Sequence, residues 1–234
     1  MAKRTAPATP ADGIAGADKP ETQPKPVRRM PSDARRRDIV EKAAQFFAEG
    51  GFEGTTRDLA RQIGITQPLL YRYFPTKASL VREIYQAVYL DVWQEKWDRL
   101  LTDRSRSLRD RLDEFYREYT EVIMQPQWLR IYFFAGLKGV EINKLYIKFI
   151  EERILRRIVA EFFMEQTGAA PATIADTDLE IAWGLQGAIF YYGVRKHIYN
   201  APVYLSREAA IANALDIFFA GYRQLVAQRP AAAG

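Results

Sequence analysis

Residues 55–77 read TTRDLARQIGITQPLLYRYFPTK, and the rest of the chain is organised around them. Thr55 stands three residues before Asp58, so its hydroxyl can accept the Asp58 amide and open a helix ahead of the apolar positions Leu59 and Ile63. Gly64 falls where the chain needs a positive φ to leave that helix. Ile65 can plug the corner, and Thr66 can cap a second short helix that has Pro68 in its first turn. The pattern predicts helix, tight turn, helix. On the second helix Leu70 and Phe74 are four apart and face inward, which leaves Thr66, Gln67, Leu69, Tyr71, Arg72 and Tyr73 wholly or partly outward. Such a face of amide, phenol and guanidinium groups suits a major groove and its phosphates.

With the preceding amphipathic helix that ends at Glu49-Gly50-Gly51-Phe52, the run TTRDLARQIGITQPLLYRYFPTKASL resembles the tetracycline-repressor (TetR/AcrR) family of transcriptional regulators. The cap, the turn glycine, the Tyr-x-Tyr-Phe run and the Lys after it coincide at the family's spacings. The resemblance covers residues 32–80 at motif level and the remainder only through length and helical pattern. It implies an N-terminal three-helix DNA-binding domain, a following helix that carries movement from a ligand site to that domain, and a two-fold four-helix interface built from the last two helices. The long Pro-rich arm and the larger domain depart from the best-known members, so no family ligand residue is carried over.

Composition agrees with this organisation. A chain of 234 residues with 48% hydrophobic residues is long enough for one small module and one larger domain. It has no cysteine, hence no disulfide framework, thiolate metal site or cysteine nucleophile. No stretch approaches the roughly 20 apolar residues of a membrane span, and the N-terminus lacks the apolar core of a signal peptide, so a soluble, cytoplasmic protein without membrane partners is expected. Residues 1–77 hold 14 basic and 9 acidic side chains, which is the whole net charge of +5. The excess cation lies where a phosphate-binding module would carry it.

Taken in order, residues 1–31 are predicted to be a disordered basic arm, rich in proline, whose Lys25, Arg28 and Arg29 either solubilise the chain or touch DNA. Residues 32–77 form the helix-turn-helix domain. Its first helix, capped by Ser32, carries the stripe Ile39, Ala43, Phe46 and Phe47. Arg35, Arg36 and Arg37 crowd the N-terminal turns against the helix dipole, and nearby phosphate would favour them. Residues 78–229 are predicted to form a helical ligand-binding and dimerisation domain, and 230–234 a disordered tail. Thr76 should cap one long helix from Lys77 towards Leu101. Leu112, Phe115, Tyr119, Val122 and Ile123 mark another helix. A short aromatic one surrounds Trp128, and Ile142, Leu145, Phe149, Ile150, Ile154, Ile158, Val159 and Phe162 mark a long one. The last two helices run over residues 173–199 and 206–228. The final one shows Ile211, Leu215, Phe218, Tyr222 and Leu225 on one face and Ala210, Ala214, Ile217 and Gly221 on another, so it should meet two partners, the core and, as the resemblance implies, the same helix pair of a second subunit. No strand-like alternation interrupts the pattern, and the fold is predicted to be all-α.

Catalytic chemistry finds no support. His197, the only histidine, adjoins Arg195 and Lys196 at a helix end, the acidic pairs have no His or Cys partner, and no nucleophile elbow or phosphate loop occurs, so neither enzyme, metal nor cofactor is expected. The expected function is a ligand-responsive homodimeric DNA-binding regulator, a repressor released from a palindromic operator by a small hydrophobic molecule. Its alternatives are an architectural DNA binder without ligand and a small-molecule sensor without an operator. For the DNA contact, Gln67 reads a base edge, Leu69 touches a thymine methyl, and Tyr71 and Tyr73 bond phosphate. Arg57 and Arg72 serve either purpose, Thr66 acts as cap or phosphate contact beside Pro68, and Lys77 meets a phosphate with the helix N-terminus. For the ligand, Trp93, Trp97, Tyr119, Trp128, Tyr132, Phe133, Trp183, Gln186, Tyr191 and Tyr192 are the candidate lining.

Overall fold

The structure, a computed structural model, describes residues 31–228, the Ile142 side chain apart; the arm expected over 1–31 lies outside it except for Pro31, as does the tail expected over 230–234. Every regular element among the described residues is helical, as the periodicities predict.

Helix α1 (Ser32–Gly50) buries Ile39, Ala43 and Phe47, with Phe46 only partly covered. Gly51 turns the chain at φ +70°, and a Cβ there would stand 3.2 Å from the Phe134 ring, so both backbone and packing require glycine. A 3₁₀ turn, Gly51–Glu53, leads to α2 (Thr56–Gln62) and α3 (Gln67–Tyr73). Both predicted caps form: the Thr55 hydroxyl accepts the Asp58 amide at 3.1 Å and Thr66 that of Leu69 at 3.3 Å. Gly64 between them has φ +74°. Thr76 and Ser79 build a reciprocal capping box for α4 (Lys77–Tyr85).

The single helix expected from Lys77 towards Leu101 is broken. Helix α4 widens into a π-helical turn over Gln86–Leu90, the chain leaves the helix over 91–94, and α5 (Glu95–Thr102) starts afresh. Tyr85, Val88, Tyr89, Trp93 and Trp97 are too many large groups for one face of a straight helix. With the break, Tyr89 packs on Trp128 and Tyr146, ring centroids 4.7 and 4.9 Å away. Trp93 turns instead to Phe149 at 5.2 Å and donates its indole N–H to Asp98 at 2.8 Å.

Helices α6 (Leu108–Ile123) and α7 (Pro126–Leu137) follow as predicted. Helix α8 (Glu141–Ile150) runs through a second π-helical turn, Glu151–Leu155, into α9 (Arg156–Thr167), which Gly168 ends at φ +79°. Here the expected stripe is corrected: Tyr146 is buried and Leu145 is exposed. The buried series Tyr146, Ile150, Ile154, Ile158 and Phe162 repeats every four residues, which overshoots the 3.6-residue turn. The wider π turn absorbs the overshoot and keeps the series on one side. Helices α10 (Asp176–His197) and α11 (Arg207–Ala227, capped by Ser206) close the body. Among the described residues no helix is long and apolar enough to cross a membrane. Helix α1 packs along α7, α7 meets the 51–53 turn, and α4 touches α8, so the N-terminal module meets the larger helical body through α1, that turn and α4.

Candidate functional site

The pose of α3 is set from behind. Leu70 and Phe74 are buried, and Arg36 clamps the far end. Its guanidinium donates to the Glu83 carboxylate on α4 at 2.9 Å and to the Tyr73 carbonyl at 3.2 Å, and lies 4.7 Å over the Phe74 ring. The hydrogen bond to Glu83 outweighs partial burial and raises its pKa further. Arg36 is thereby corrected from a phosphate ligand to the tie between α1, α3 and α4.

On the outer face Arg57, Thr66, Pro68, Tyr71 and Arg72 are exposed, and Gln67, Leu69 and Tyr73 are half-buried. Arg72 lies 5.6 Å over the Tyr73 ring. A bond from the Ser32 hydroxyl holds the Tyr73 phenol below its ordinary pKa. The Thr56 hydroxyl, which the sequence reading did not single out, meets both Gln67 and Tyr71. No local rule pairs positions 11 and 15 residues apart across a turn, so the sequence carried no signal for it.

Lys77 faces inward. Its ammonium donates to the carbonyls of Phe52 at 2.5 Å and Gly54 at 2.9 Å and lies 5.5 Å over the Phe47 ring, and burial lowers its pKa. The expected phosphate ligand is therefore a staple holding the 51–54 turn to α4. Lys77→Met leaves two partly buried carbonyls unpaired and is expected to cost about 1–3 kcal/mol in urea unfolding. The salt dependence of DNA binding should stay as steep as before, and a slope shallower by about one phosphate contact would show that the ammonium swings out.

The expected ligand residues divide. Trp128, Tyr132, Trp183 and Gln186 line a cavity of about 80 Å³, with Tyr146, Ile150, Phe190, Gly187 and Ile123 as further wall. Tyr146 and Phe190 were missed because each lies in a run of apolar positions that reads as ordinary core. The remaining candidates do not line it. Trp97 is fully buried with its indole N–H on Glu118 at 2.7 Å, and Tyr119 is buried with its hydroxyl bonded to that of Tyr146 at 2.5 Å. Trp93 follows the broken helix to Phe149, Phe133 stands beside Phe190 at 6.3 Å, Tyr192 bonds the Leu205 carbonyl, and Tyr191 points to the exposed side of α10. No charged residue lines the cavity, and burial pushes the Tyr132 and Tyr146 phenols up, so its wall is neutral. The Trp128 indole N–H is buried there with no acceptor among the described residues. A wider groove of about 430 Å³ opens where Phe52, α4 and the α7–α8 corner meet.

Helices α10 and α11 also present an apolar outer side. Gly184, Gly187 and Ala188 are exposed on α10, Ile217 on α11 is 74% exposed, and Ala210, Ala214 and Gly221 are half-buried. Leu225 does not join the core face as expected, because Val226, four residues after Tyr222, takes that position. His197 is half-buried at the end of α10, its pKa lowered by burial and by Lys196. Among the described residues no group of three His, Cys, Asp or Glu is placed to hold a metal ion.

The family model "Bacterial regulatory proteins, tetR family" matches residues 39–84, which run from α1 into α4. The HTH-type transcriptional activator FasR of Mycolicibacterium smegmatis is 30% identical over 90 residues, 38% of this chain and 37% of that protein. The chain thus spans little more than a third of this curated relative. A TetR family transcriptional regulator from Pseudomonas syringae pv. tomato shares the fold with a TM-score of 0.57 at 17% identity, over 81% of this chain and 96% of that one. Thermus thermophilus FadR, a TetR family transcriptional repressor solved in complex with lauroyl-CoA, does so with a TM-score of 0.50 at 20% identity, over 86% of this chain and all of that one. Residues 39–84 thus resemble the tetR family of bacterial regulatory proteins, and the described chain shares the all-α fold of these solved regulators.

Proposed function

We propose that the protein is a cytoplasmic, homodimeric, ligand-responsive transcriptional repressor, without enzymatic activity, whose α3 helices enter successive major grooves of a near-palindromic operator. The observation that carries this reading is the outer face of α3, which is held rigid by two caps, a buried Leu70–Phe74 pair and the Arg36 clamp. Gln67 is the base reader, because its amide matches the donor and acceptor edge of adenine, and Leu69 lies beside it for a thymine methyl. Tyr71, Tyr73, Arg57 and Arg72 hold phosphate. The outer side of α10 and α11, apolar and built of small residues around Ile217, is the surface for the second subunit, and the two recognition helices then stand about 34–36 Å apart.

The effector enters the aromatic cavity. It is uncharged where buried, since the wall offers no counter-ion, and a carbonyl oxygen on it would satisfy Trp128. About 80 Å³ is below the roughly 300 Å³ from which ligand pockets usually start, so binding must move the wall. Helix α7 carries Trp128 and Tyr132 to the cavity and Phe134 to Gly51, and Tyr89 ends the π turn of α4 against Trp128. Displacing α7 therefore shifts the DNA-reading module, and the groove beside Phe52 leaves the α7–α8 corner room to move. A ligand that prefers the displaced state weakens DNA binding by the factor by which DNA weakens its own binding.

Selecting binding sites from random duplexes at about 150 mM salt tests the reading, since nonspecific binding falls steeply with salt. A palindrome of fixed spacing is expected. Binding without consensus that fades as salt rises would overturn it in favour of an architectural role. Gln67→Ala is expected to cost about 1–3 kcal/mol and relax preference at one position of each half-site, read by competition between operator variants.

A further inference from the structure

We infer that Thr56, in the first turn of α2, is a positioning residue that orients the two α3 side chains meeting DNA and so helps to set which base is read; this rests on the reading of α3 as the recognition helix. Its single hydroxyl bridges two residues four apart on one edge of α3. The Gln67 side-chain N–H donates to Thr56 Oγ1 at 3.2 Å, and Thr56 Oγ1 and the Tyr71 hydroxyl share a bond at 2.9 Å.

Two consequences follow from the donor and acceptor inventory. The first concerns the amide. With one N–H on Thr56, Gln67 keeps its carbonyl oxygen and its second N–H for the groove. These are the acceptor and donor that the N6 amino group and N7 of adenine require, and an amide turned the other way round would set its carbonyl against Thr56. The hydroxyl holds the amide this way round while it gives its own proton to Tyr71; donating to Gln67 instead, it would hold the opposite orientation. The second consequence concerns proton direction. While accepting from Gln67, Thr56 can give its own proton to the Tyr71 oxygen, and the Tyr71 proton is then free to point outward. A phosphate oxygen needs that outward donor. The opposite direction, with Tyr71 donating to Thr56, would turn phenol lone pairs towards a phosphate, so DNA contact selects the chain Gln67 to Thr56 to Tyr71 to phosphate. Base reading and backbone contact are joined through one residue that touches neither.

Site selection and competition binding at one salt concentration test this on the full chain, with Thr56→Val, which keeps the shape and loses the hydroxyl, Thr56→Ser, which keeps it, and Gln67→Ala and Tyr71→Phe as references. Thr56→Val is expected to lower discrimination about five- to tenfold at the base position that Gln67→Ala identifies, out of the roughly 5–150-fold a bidentate contact supplies. It should also weaken binding to all sequences about as much as Tyr71→Phe does. Thr56→Ser should stay within about twofold of the parent protein. In a Gln67→Ala background Thr56→Val should alter no base preference further, which a loss of folding would not reproduce, and Thr56→Ala repeats the comparison should the valine variant melt early. The inference is overturned if Gln67→Ala changes a base preference and the hydroxyl-free variants leave it intact. If Gln67→Ala changes none, the recognition-helix reading itself fails and the inference falls with it.

Discussion

In the proposed dimer, Ile217→Glu is expected to separate the subunits and to weaken binding to the proposed operator by about two to four orders of magnitude. Ile217 is 74% exposed on α11, amid the small residues Ala210, Ala214 and Gly221, with Gly184 and Gly187 on the outer side of the neighbouring α10. Small residues let helices approach closely, and a carboxylate pressed there against its two-fold mate would be desolvated beside a like charge. Loss of the dimer removes the second half-site contact, which otherwise forms at a high effective concentration once the first is bound. Light scattering should give 26.9 kDa for the variant and twice that for the parent protein. Helicity should be unchanged, since the side chain supports nothing inside the subunit. A parent protein of monomer mass, or a variant that stays dimeric, would exclude this surface as the interface.

Glu161→Ala is expected to lower stability by about 3–5 kcal/mol, because it strands a buried cation. The Arg111 side chain is only 2% exposed and Glu161 only 7%, and they meet at 3.3 Å between α6 and α9. A second arginine, Arg104, grips the same carboxylate from the rim at 2.8 Å, and Arg111 also donates to the Leu101 carbonyl at 2.9 Å, which brings in the end of α5. The pair is thus a junction of three helices in the body. Urea midpoints at constant slope measure the loss. Replacing both partners by apolar residues, Arg111→Met with Glu161→Leu, should recover most of it, because the cost of the single change is an unpaired charge and not a lost attraction. A single-variant loss below about 1 kcal/mol would mean that water reaches Arg111.

How much of this was legible in the sequence follows from the range of each interaction. Thr55 with Asp58, Thr66 with Leu69 and Thr76 with Ser79 are caps closed within one helical turn, and each side chain finds its partner whatever the remainder of the chain does. Gly64 and Gly168 end helices because their own backbones need positive φ. The repeats of apolar residues likewise report a buried face without saying what covers it. From such rules come the helix-turn-helix, the all-α body and the face of α3 that carries Gln67 and Tyr71.

Contacts across long stretches of chain decided the rest. Arg36 and Lys77 are cations at helix starts, and nothing local distinguishes a phosphate ligand from a tie. Only the folded chain sets Glu83 and the Tyr73 carbonyl beside the one, and the Phe52 and Gly54 carbonyls beside the other. Ten aromatic or amide residues looked equally able to line a cavity. Packing of α7, α8 and α10 selected Trp128, Tyr132, Trp183 and Gln186, added Tyr146 and Phe190, and left Trp97 in solid core. Sequence therefore determined the all-helical make-up and the capped helix starts, because those preferences act over a few residues, whereas the break before Glu95 and the burial of Tyr146 in place of Leu145 came from tertiary packing. Tertiary structure alone decided which polar groups remain free on the outer face of α3 and where a cavity is left among the aromatic residues, because both depend on what distant segments bring against them.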